Sequence, residues 1–295
     1  MGADVADRFS AARMVFDAVD DALGISLSKL MWEGPEDQLT LTHNAQPAIL
    51  THTLAVYAVV AGVLGPVVGA GHSLGEYSAY AAAGSLDIAG AARLVRRRGE
   101  LMLEAGEQRP GTMAVVIGLE TPAIEDVCRE ASDHDAVVVA ANINAPEQVV
   151  ISGDPAAVER AGTLLKKAGA KRVLPLNVSG AFHSPLMEPA QVGLRGELEQ
   201  VPVASPAFPI IANASAEAVS NANDAKRLLG DQLTSPVRWV ESMTRAREIG
   251  NASTPFIEIG PGNVLSGLLR RIDRSAISTA LGTADDIGAF LEEHG

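Results

Sequence analysis

Apolar residues recur at helical spacing over residues 2–24, where Val5, Phe9, Ala12, Val15, Phe16 and Val19 make one stripe and predict an amphipathic helix. A more uniformly apolar helix is predicted over 47–63. Residues 67–70 then read as a short buried strand, 74–83 as a helix opening straight off it, and 88–105 as a further helix. The rhythm changes after that. MAVVIGL (113–119) predicts a strand and 121–132 a helix, with Thr121 as its cap and Pro122 in its first turn. AVVVAANIN (136–144) and QVVISGD (148–154) predict two strands joined by a turn at 145–147. A helix over 155–169, from Pro155 to Gly169, and a strand over 172–178 complete the order βαββαβ, a ferredoxin-like unit. FPIIANAS (208–215) and FIEIG (256–260) read as buried strands of a parallel sheet, each followed by helical sequence. The pattern thus predicts an α/β fold in which residues 1–111 and 179–295 form one domain around an insertion at 112–178.

Composition narrows the class of function. The hydrophobic content of 47% with 4% aromatics suits an ordinary aliphatic core. A formal charge of −13 argues against nucleic acid, whose phosphates call for clustered Lys and Arg. Cys128 is the single cysteine, so an internal disulfide framework is excluded and a reducing compartment is expected. The first residues carry early acids and no apolar core of a secretory signal, and Ala6 stands where a myristoylation motif on Gly2 needs Ser or Thr. The most apolar stretch, 54–70, is interrupted by Gly62, Gly65 and Pro66 and is too short for a membrane span. A cytoplasmic protein is expected.

Gly71-His72-Ser73-Leu74-Gly75 matches G-x-S-x-G between a predicted strand and a predicted helix, the context in which that motif presents a nucleophile. Both glycines are expected to be needed, because a side chain at 71 or 75 would collide with a neighbouring strand or helix. The Leu74 amide, at the helix start, would face an oxyanion forming at the attacked carbonyl. The plain alternative is a small residue in a tightly packed turn. A serine nucleophile needs a base, and His183 stands in a loop after a predicted strand and a Gly-containing turn. His72 is expected to point away from Ser73, and His43, His52, His134 and His294 have no supporting motif. No Asp or Glu is marked by context as a third member, which favours a Ser-His dyad with the imidazole oriented by a carbonyl. No histidine or cysteine cluster has metal-ligand spacing, and neither G-x-x-x-x-G-K-[ST] nor a strand-borne G-x-G-x-x-G occurs.

GHSLGEYSA, LVRRRGELM, VSGAFHSPLM, QLTSPVRW and EIGPGNVLSGLLRRI resemble, in this order, five blocks of the malonyl-CoA:acyl carrier protein transacylases. The resemblance covers almost the whole chain. It implies an α/β-hydrolase-like core carrying a ferredoxin-like subdomain, and transfer of malonyl from coenzyme A to a carrier protein's phosphopantetheine thiol, for fatty acid synthesis. It makes Ser73 the nucleophile, His183 the base and Arg98 the grip on the malonyl carboxylate, for which a guanidinium offers paired charge-assisted hydrogen bonds. Arg96 and Arg97 differ from Arg98 by about 100° each around a helix, so at most one or two of the three can face a cleft. Gln46 in NAQPAIL corresponds to an active-site glutamine, Gln232 to the residue whose carbonyl holds the histidine, and Phe182 to a bulky position of malonyl-selective members that crowds an α-methyl branch. No metal or bound organic cofactor is implied; the partners are a coenzyme A thioester and acyl carrier protein, and the chain is expected to be a monomer.

One departure stands out. The family begins with a strand and a turn resembling FPGQGSQ, which supplies a second oxyanion amide, and MGADVADRF corresponds to the residues just after it. The resemblance therefore implies a parallel sheet without its first strand, an oxyanion site left with the Leu74 amide, and a native protein that begins upstream. Two other readings follow from the same residues: a serine esterase or thioesterase, and an inactive scaffold that binds carrier protein. Acidic carrier proteins would need a local basic patch on this acidic chain, for which KKAGAKR (166–172) and Arg270, Arg271 and Arg274 are candidates.

Overall fold

The stripe over residues 2–24 builds two helices rather than one, α1 (Ala3–Arg8) and α2 (Ser10–Leu23), in a computed structural model that describes residues 1–178 and 180–295. Phe9 breaks them: its φ of −125° and ψ of 116° are extended, and its amide closes α1 on the Val5 carbonyl. The buried positions nonetheless stay in phase across the break, with Val5, Ala12, Val15, Phe16 and Val19 all in the core. Two short helices, α3 (Leu27–Glu33) and α4 (Glu36–Leu39), lead to α5 (Thr42–Val60), which begins before the predicted Pro47 and runs through it. Proline has no N–H to give the His43 carbonyl one turn back, and Arg96 Nη1 donates to that carbonyl instead, at 3.2 Å.

The predicted strand over 67–70 shortens to β1 (Gly69–Ala70), followed by α6 (Leu74–Ala82) and α7 (Ile88–Gln108). Asp87 caps α7 by accepting from the Gly90 amide at 2.5 Å. Helices α2, α5 and α7 pack against one another, and together they bury the largest apolar cluster.

Residues 112–175 contain β2 (Thr112–Ile117), α8 (Thr121–Ala131), β3 (Val138–Ala145), β4 (Gln148–Gly153), α9 (Pro155–Lys167) and β5 (Arg172–Pro175). The four strands form one antiparallel sheet in the order β3-β4-β2-β5. Side chains alternate as the pleat requires: Ala114, Val116, Val149 and Ile151 meet the helices, while Met113, Val115 and Val150 turn to the other face. Thr121 is not the cap of α8; Glu120 holds that position, without a side-chain cap bond. The expected boundary with the returning segment falls on Ser179, outside the described residues.

The chain continues through a 3₁₀ turn at Pro185–Met187 into α10 (Glu188–Gln200), β6 (Ile210–Ile211), β7 (Ala218–Val219), α11 (Ala222–Asp231), α12 (Trp239–Ile249), β8 (Phe256–Ile259), α13 (Val264–Ile272), β9 (Ser278–Leu281) and α14 (Ala284–His294). The expected single parallel sheet is two. Strand β6 pairs in parallel with β1 but antiparallel with β7, so it is followed by a strand rather than a helix. Strand β8, only half-buried, pairs in parallel with β9. A cleft of about 660 Å³, lined by Tyr57, Val68, Ala70, Ile257, Ile259 and Leu265, lies between the two sheets. Ala145, Val237, Trp239, Met243, Leu268 and Leu269 join the antiparallel sheet to the rest, reinforced by Val237 N–H to the Ala141 carbonyl and Ile143 N–H to the Val237 carbonyl. Among the described residues, no helix is long and apolar enough to cross a membrane.

Candidate active site

Ser73 follows β1 and stands at the N-cap of α6, with φ 51° and ψ −108°. Positive φ is costly for a residue with a Cβ, and of four such non-glycine residues among those described, two are Ser73 and His183. The tight turn dictates Gly71: a Cβ there would lie 2.0 Å from the carbonyl carbon and oxygen of Gly75. The expectation for Gly75 is corrected, because a Cβ at that position meets nothing within 4 Å. Only one glycine of the pair is sterically required, and it is required by the helix's own first turn. Asn213, fully buried just after β6, staples the elbow from the side: its Oδ1 accepts from Ser73 N–H at 2.7 Å and its Nδ2 donates to the Gly71 carbonyl at 2.7 Å. Among the described residues the Leu74 N–H has no hydrogen-bond partner, so it is available at the elbow.

His183 reaches Ser73 from the segment before α10. Ser184 locks that segment by donating to the Ala181 carbonyl at 2.6 Å and accepting from Leu186 N–H at 3.3 Å. His183 Nδ1 lies 3.0 Å from the Gln232 carbonyl oxygen, which can only accept, so Nδ1 carries the proton. Nε2 is therefore the acceptor and takes the Ser73 hydroxyl at 2.8 Å. Burial first, and the Arg98 guanidinium second, push the His183 pKa down to about 3. His72 turns away, its Nε2 donating to Asn144 Oδ1 at 2.8 Å while its ring tilts against Trp239.

Arg98 is the one arginine of its triplet that faces the site. It is 1% exposed, whereas Arg96 pairs with Glu100 and Arg97 with Glu100, Glu104 and Glu197. Arg98 Nη1 donates to Gln46 Oε1 at 2.6 Å, and Nη2 to Gln232 Oε1 at 2.9 Å and Ser73 Oγ at 3.1 Å. Its guanidinium lies over the Tyr77 ring, 5.2 Å from the centroid, and among the described residues its Nε has no partner. Among the described residues this buried cation forms no ion pair, and burial lowers its pKa. Gln46 lies within α5, where its Nε2 is held by Thr42 Oγ1 at 2.9 Å. Phe182 is not in this network; its ring packs between the main core and Met113, Ala141 and Val150.

Ser73, His183, Arg98, Gln46, Gln232 and the Leu74 amide thus converge, while two members of the constellation were not read from the sequence. Asn213 is a polar interruption of the apolar run IIANA, and Glu76 an acid in an otherwise apolar helix. Glu76 is 0% exposed, and burial raises its carboxyl to about 7 despite donors from Asn213 and Gln232.

The chain matches the acyl transferase domain family over residues 1–286. It is 43% identical over 294 residues to the malonyl CoA-acyl carrier protein transacylase of Bacillus subtilis, covering 99% of this chain and 92% of that protein. The crystal structure of an acyl carrier protein S-malonyltransferase from Vibrio cholerae superposes with a TM-score of 0.94 at 40% identity, over 98% of this chain and 94% of the other. A malonyl-transacylase in complex with its type II PKS acyl-carrier protein gives the same TM-score and identity, over 99% and 94%. With Ser73 on its elbow, His183 and the buried Arg98 in one site, the chain belongs to the acyl transferase domain family, among the malonyl CoA-acyl carrier protein transacylases.

Proposed function

We propose that this acyltransferase moves a malonyl group from coenzyme A to the phosphopantetheine thiol of an acyl carrier protein, through an ester on Ser73, in the service of fatty acid synthesis. The observation that carries the substrate class is Arg98: a buried guanidinium without an ion-pair partner among the described residues, 3.1 Å from Ser73 Oγ. A charge so placed favours an acyl group that brings its own carboxylate.

His183 Nε2 takes the Ser73 hydroxyl proton as Oγ attacks the thioester carbonyl. The oxyanion is met by the Leu74 amide at the positive end of α6. Collapse breaks the C–S bond, and coenzyme A leaves as the thiol with the proton from His183. In the second half the carrier thiol gives its proton to His183, its sulfur attacks the ester, and Ser73 recovers its proton. Gln232 keeps the imidazole in the tautomer that both halves need. Acyl group and protons move between sulfur, oxygen and imidazole, so no metal or bound organic cofactor is called on. Phe182 would narrow the pocket against branched acyl groups.

The finer architecture belongs to the same reading: a ferredoxin-like subdomain at 112–178 inserted in an α/β-hydrolase-like domain of 1–111 and 179–295. The antiparallel strand order and the two helices covering one face of the sheet support it. Carrier docking is supported by the meeting of both basic segments at one turn, where Lys171 pairs with Glu147 at 3.3 Å and Arg271 with Gln148. The protein works in this reading as a cytoplasmic monomer.

Incubation with malonyl-CoA should add one malonyl group to the Ser73 peptide by mass, and carrier protein should then remove it as malonyl-carrier. Arg98→Ala should cut malonyl transfer by about a hundredfold, as expected for losing a buried charged contact, and should lower the malonyl-over-acetyl rate ratio. Release of free malonate without carrier acylation would establish an esterase instead, and an unlabelled Ser73 would establish a scaffold.

A further inference from the structure

Ser73 and Glu76 stand as S-x-x-E at the start of α6, the sequence of a capping box. In that motif the serine oxygen bonds the third helical amide and the glutamate reaches back to the serine N–H. Neither bond is made. Glu76 N–H donates to the Ser73 carbonyl at 3.1 Å, Ser73 N–H is held by Asn213, and Ser73 Oγ faces His183 and Arg98. The Glu76 carboxylate turns inward instead. Its Oε2 accepts from Asn213 N–H at 3.0 Å and from Gln232 Nε2 at 2.6 Å, and among the described residues its Oε1 has no partner. Burying a carboxylate with two donors on one oxygen and no ion pair is an unfavourable way to end a helix. What it achieves lies at Gln232.

The two ends of a glutamine amide are nearly equal in size, so hydrogen-bond partners decide which way it points. Gln232 Nε2 gives one hydrogen to the Ser73 carbonyl at 2.9 Å and the other to Glu76, which leaves Oε1 facing Arg98 Nη2 at 2.9 Å. Turned over, the amide would set NH₂ against the guanidinium and oxygen against both the carboxylate and the Ser73 carbonyl. The Ser73 carbonyl already accepts from Glu76 N–H, so the Glu76 oxygen, at 2.6 Å against 2.9 Å, is the closer and less engaged of the two acceptors that choose the orientation.

We propose that Glu76 is a positioning residue for acyl-group selection: through Gln232 it aims an amide oxygen at Arg98 and so holds the guanidinium beside Ser73, where an acyl carboxylate is read. This rests on Arg98 being the carboxylate grip. The chain of control runs from Asn213 to Glu76 to Gln232 to Arg98, and its readout is the choice between acyl groups rather than the rate alone.

Three substitutions separate reach from charge. Glu76→Gln keeps the length and an acceptor oxygen without the charge, Glu76→Asp keeps the charge one methylene short, and Glu76→Met keeps the length alone. Single-turnover acylation of Ser73 by malonyl-CoA and by acetyl-CoA, followed by intact mass, gives a rate ratio for each folded variant. The ratio should fall about tenfold in the Asp and Met variants, the cost of one hydrogen bond to a charged group, and stay within about threefold in the Gln variant. If Glu76→Met does not fold, the Asp and Gln pair decides. Malonyl and acetyl rates falling together in the Asp variant would reduce Glu76 to structural support and overturn the proposal. So would a Gln variant that loses the ratio as far as Asp does, or an Asp variant that keeps it. A wild-type protein that prefers neither thioester rejects the reading of Arg98 itself; a malonyl preference untouched by all three variants rejects only the role of Glu76.

Discussion

Burial and the Arg98 guanidinium hold His183 at about 3, far under the ordinary imidazole value of 6.5. A histidine lowered in this way stays neutral as pH falls through 6.5, so Nε2 keeps its lone pair for the Ser73 hydroxyl over the whole neutral and mildly acid range. The same shift makes it a weak base in the empty site. In the proposed reaction an acyl carboxylate on Arg98 would cancel the second cause of the shift, so His183 would become more basic when a dicarboxylic acyl group arrives. The second-order rate constant of Ser73 acylation reports the free enzyme, and the saturating rate reports the complex. For malonyl-CoA the acid limb of the first should lie below about pH 5, and that of the second at higher pH. With acetyl-CoA, which brings no carboxylate, the two limbs should coincide. Coincident limbs for malonyl-CoA would show that Arg98 does not tune His183.

At the scale of the element, the turn from β1 into α6 treats its two glycines differently. Gly71 has no room for a Cβ against the first turn of α6, whereas Gly75 sits inside the helix with open space beside it. Gly75→Ala should leave the melting temperature unchanged or raise it, since alanine gains about 0.5–1 kcal/mol over glycine in a helix interior. Gly71→Ala should destabilise the fold by several times that amount, about 3 kcal/mol or more, because backbone rather than a flexible side chain stands in the way. Equal effects in thermal melts would contradict this division. The helices and the βαββαβ segment are legible in the sequence because their apolar periods are long: Val116, Ile151 and Leu165 lie in the core of the unit that the alternation predicts. The parallel strands β1, β6 and β8 are legible in place, but their extent and their division between two sheets are not, because β1 and β6 are two residues each and Asn213 leaves the ladder to hold the elbow. Of the site, Ser73, Arg98, Gln232 and His183 are legible through motifs. Asn213 and Glu76 are not, since each works by burial against residues far along the chain, which no local spacing encodes.

For the whole molecule the question is whether the antiparallel sheet with α8 and α9 can open without the remainder. It has its own core, but strand β3 is bonded through Ala141 and Ile143 to Val237, and Asn144 holds His72 beside Ser73. Trp239 sits in the joint between them, 2% exposed, packed with Ala145 and Leu269. Opening the sheet therefore exposes that joint and loosens the elbow, so the two parts should lose structure together. Cys128, on α8 within the sheet's own core, reports one part and tryptophan fluorescence the other. Burial pushes the Cys128 thiol up to about 12, so little thiolate forms in the folded protein and Ellman's reagent should label it slowly without denaturant. Across a urea series, the midpoint of rapid Cys128 labelling should coincide with the fluorescence midpoint and with loss of Ser73 acylation. Labelling that precedes the fluorescence change while acylation persists would mean that the Val237 bonds do not couple the two, and that the sheet opens as a unit of its own.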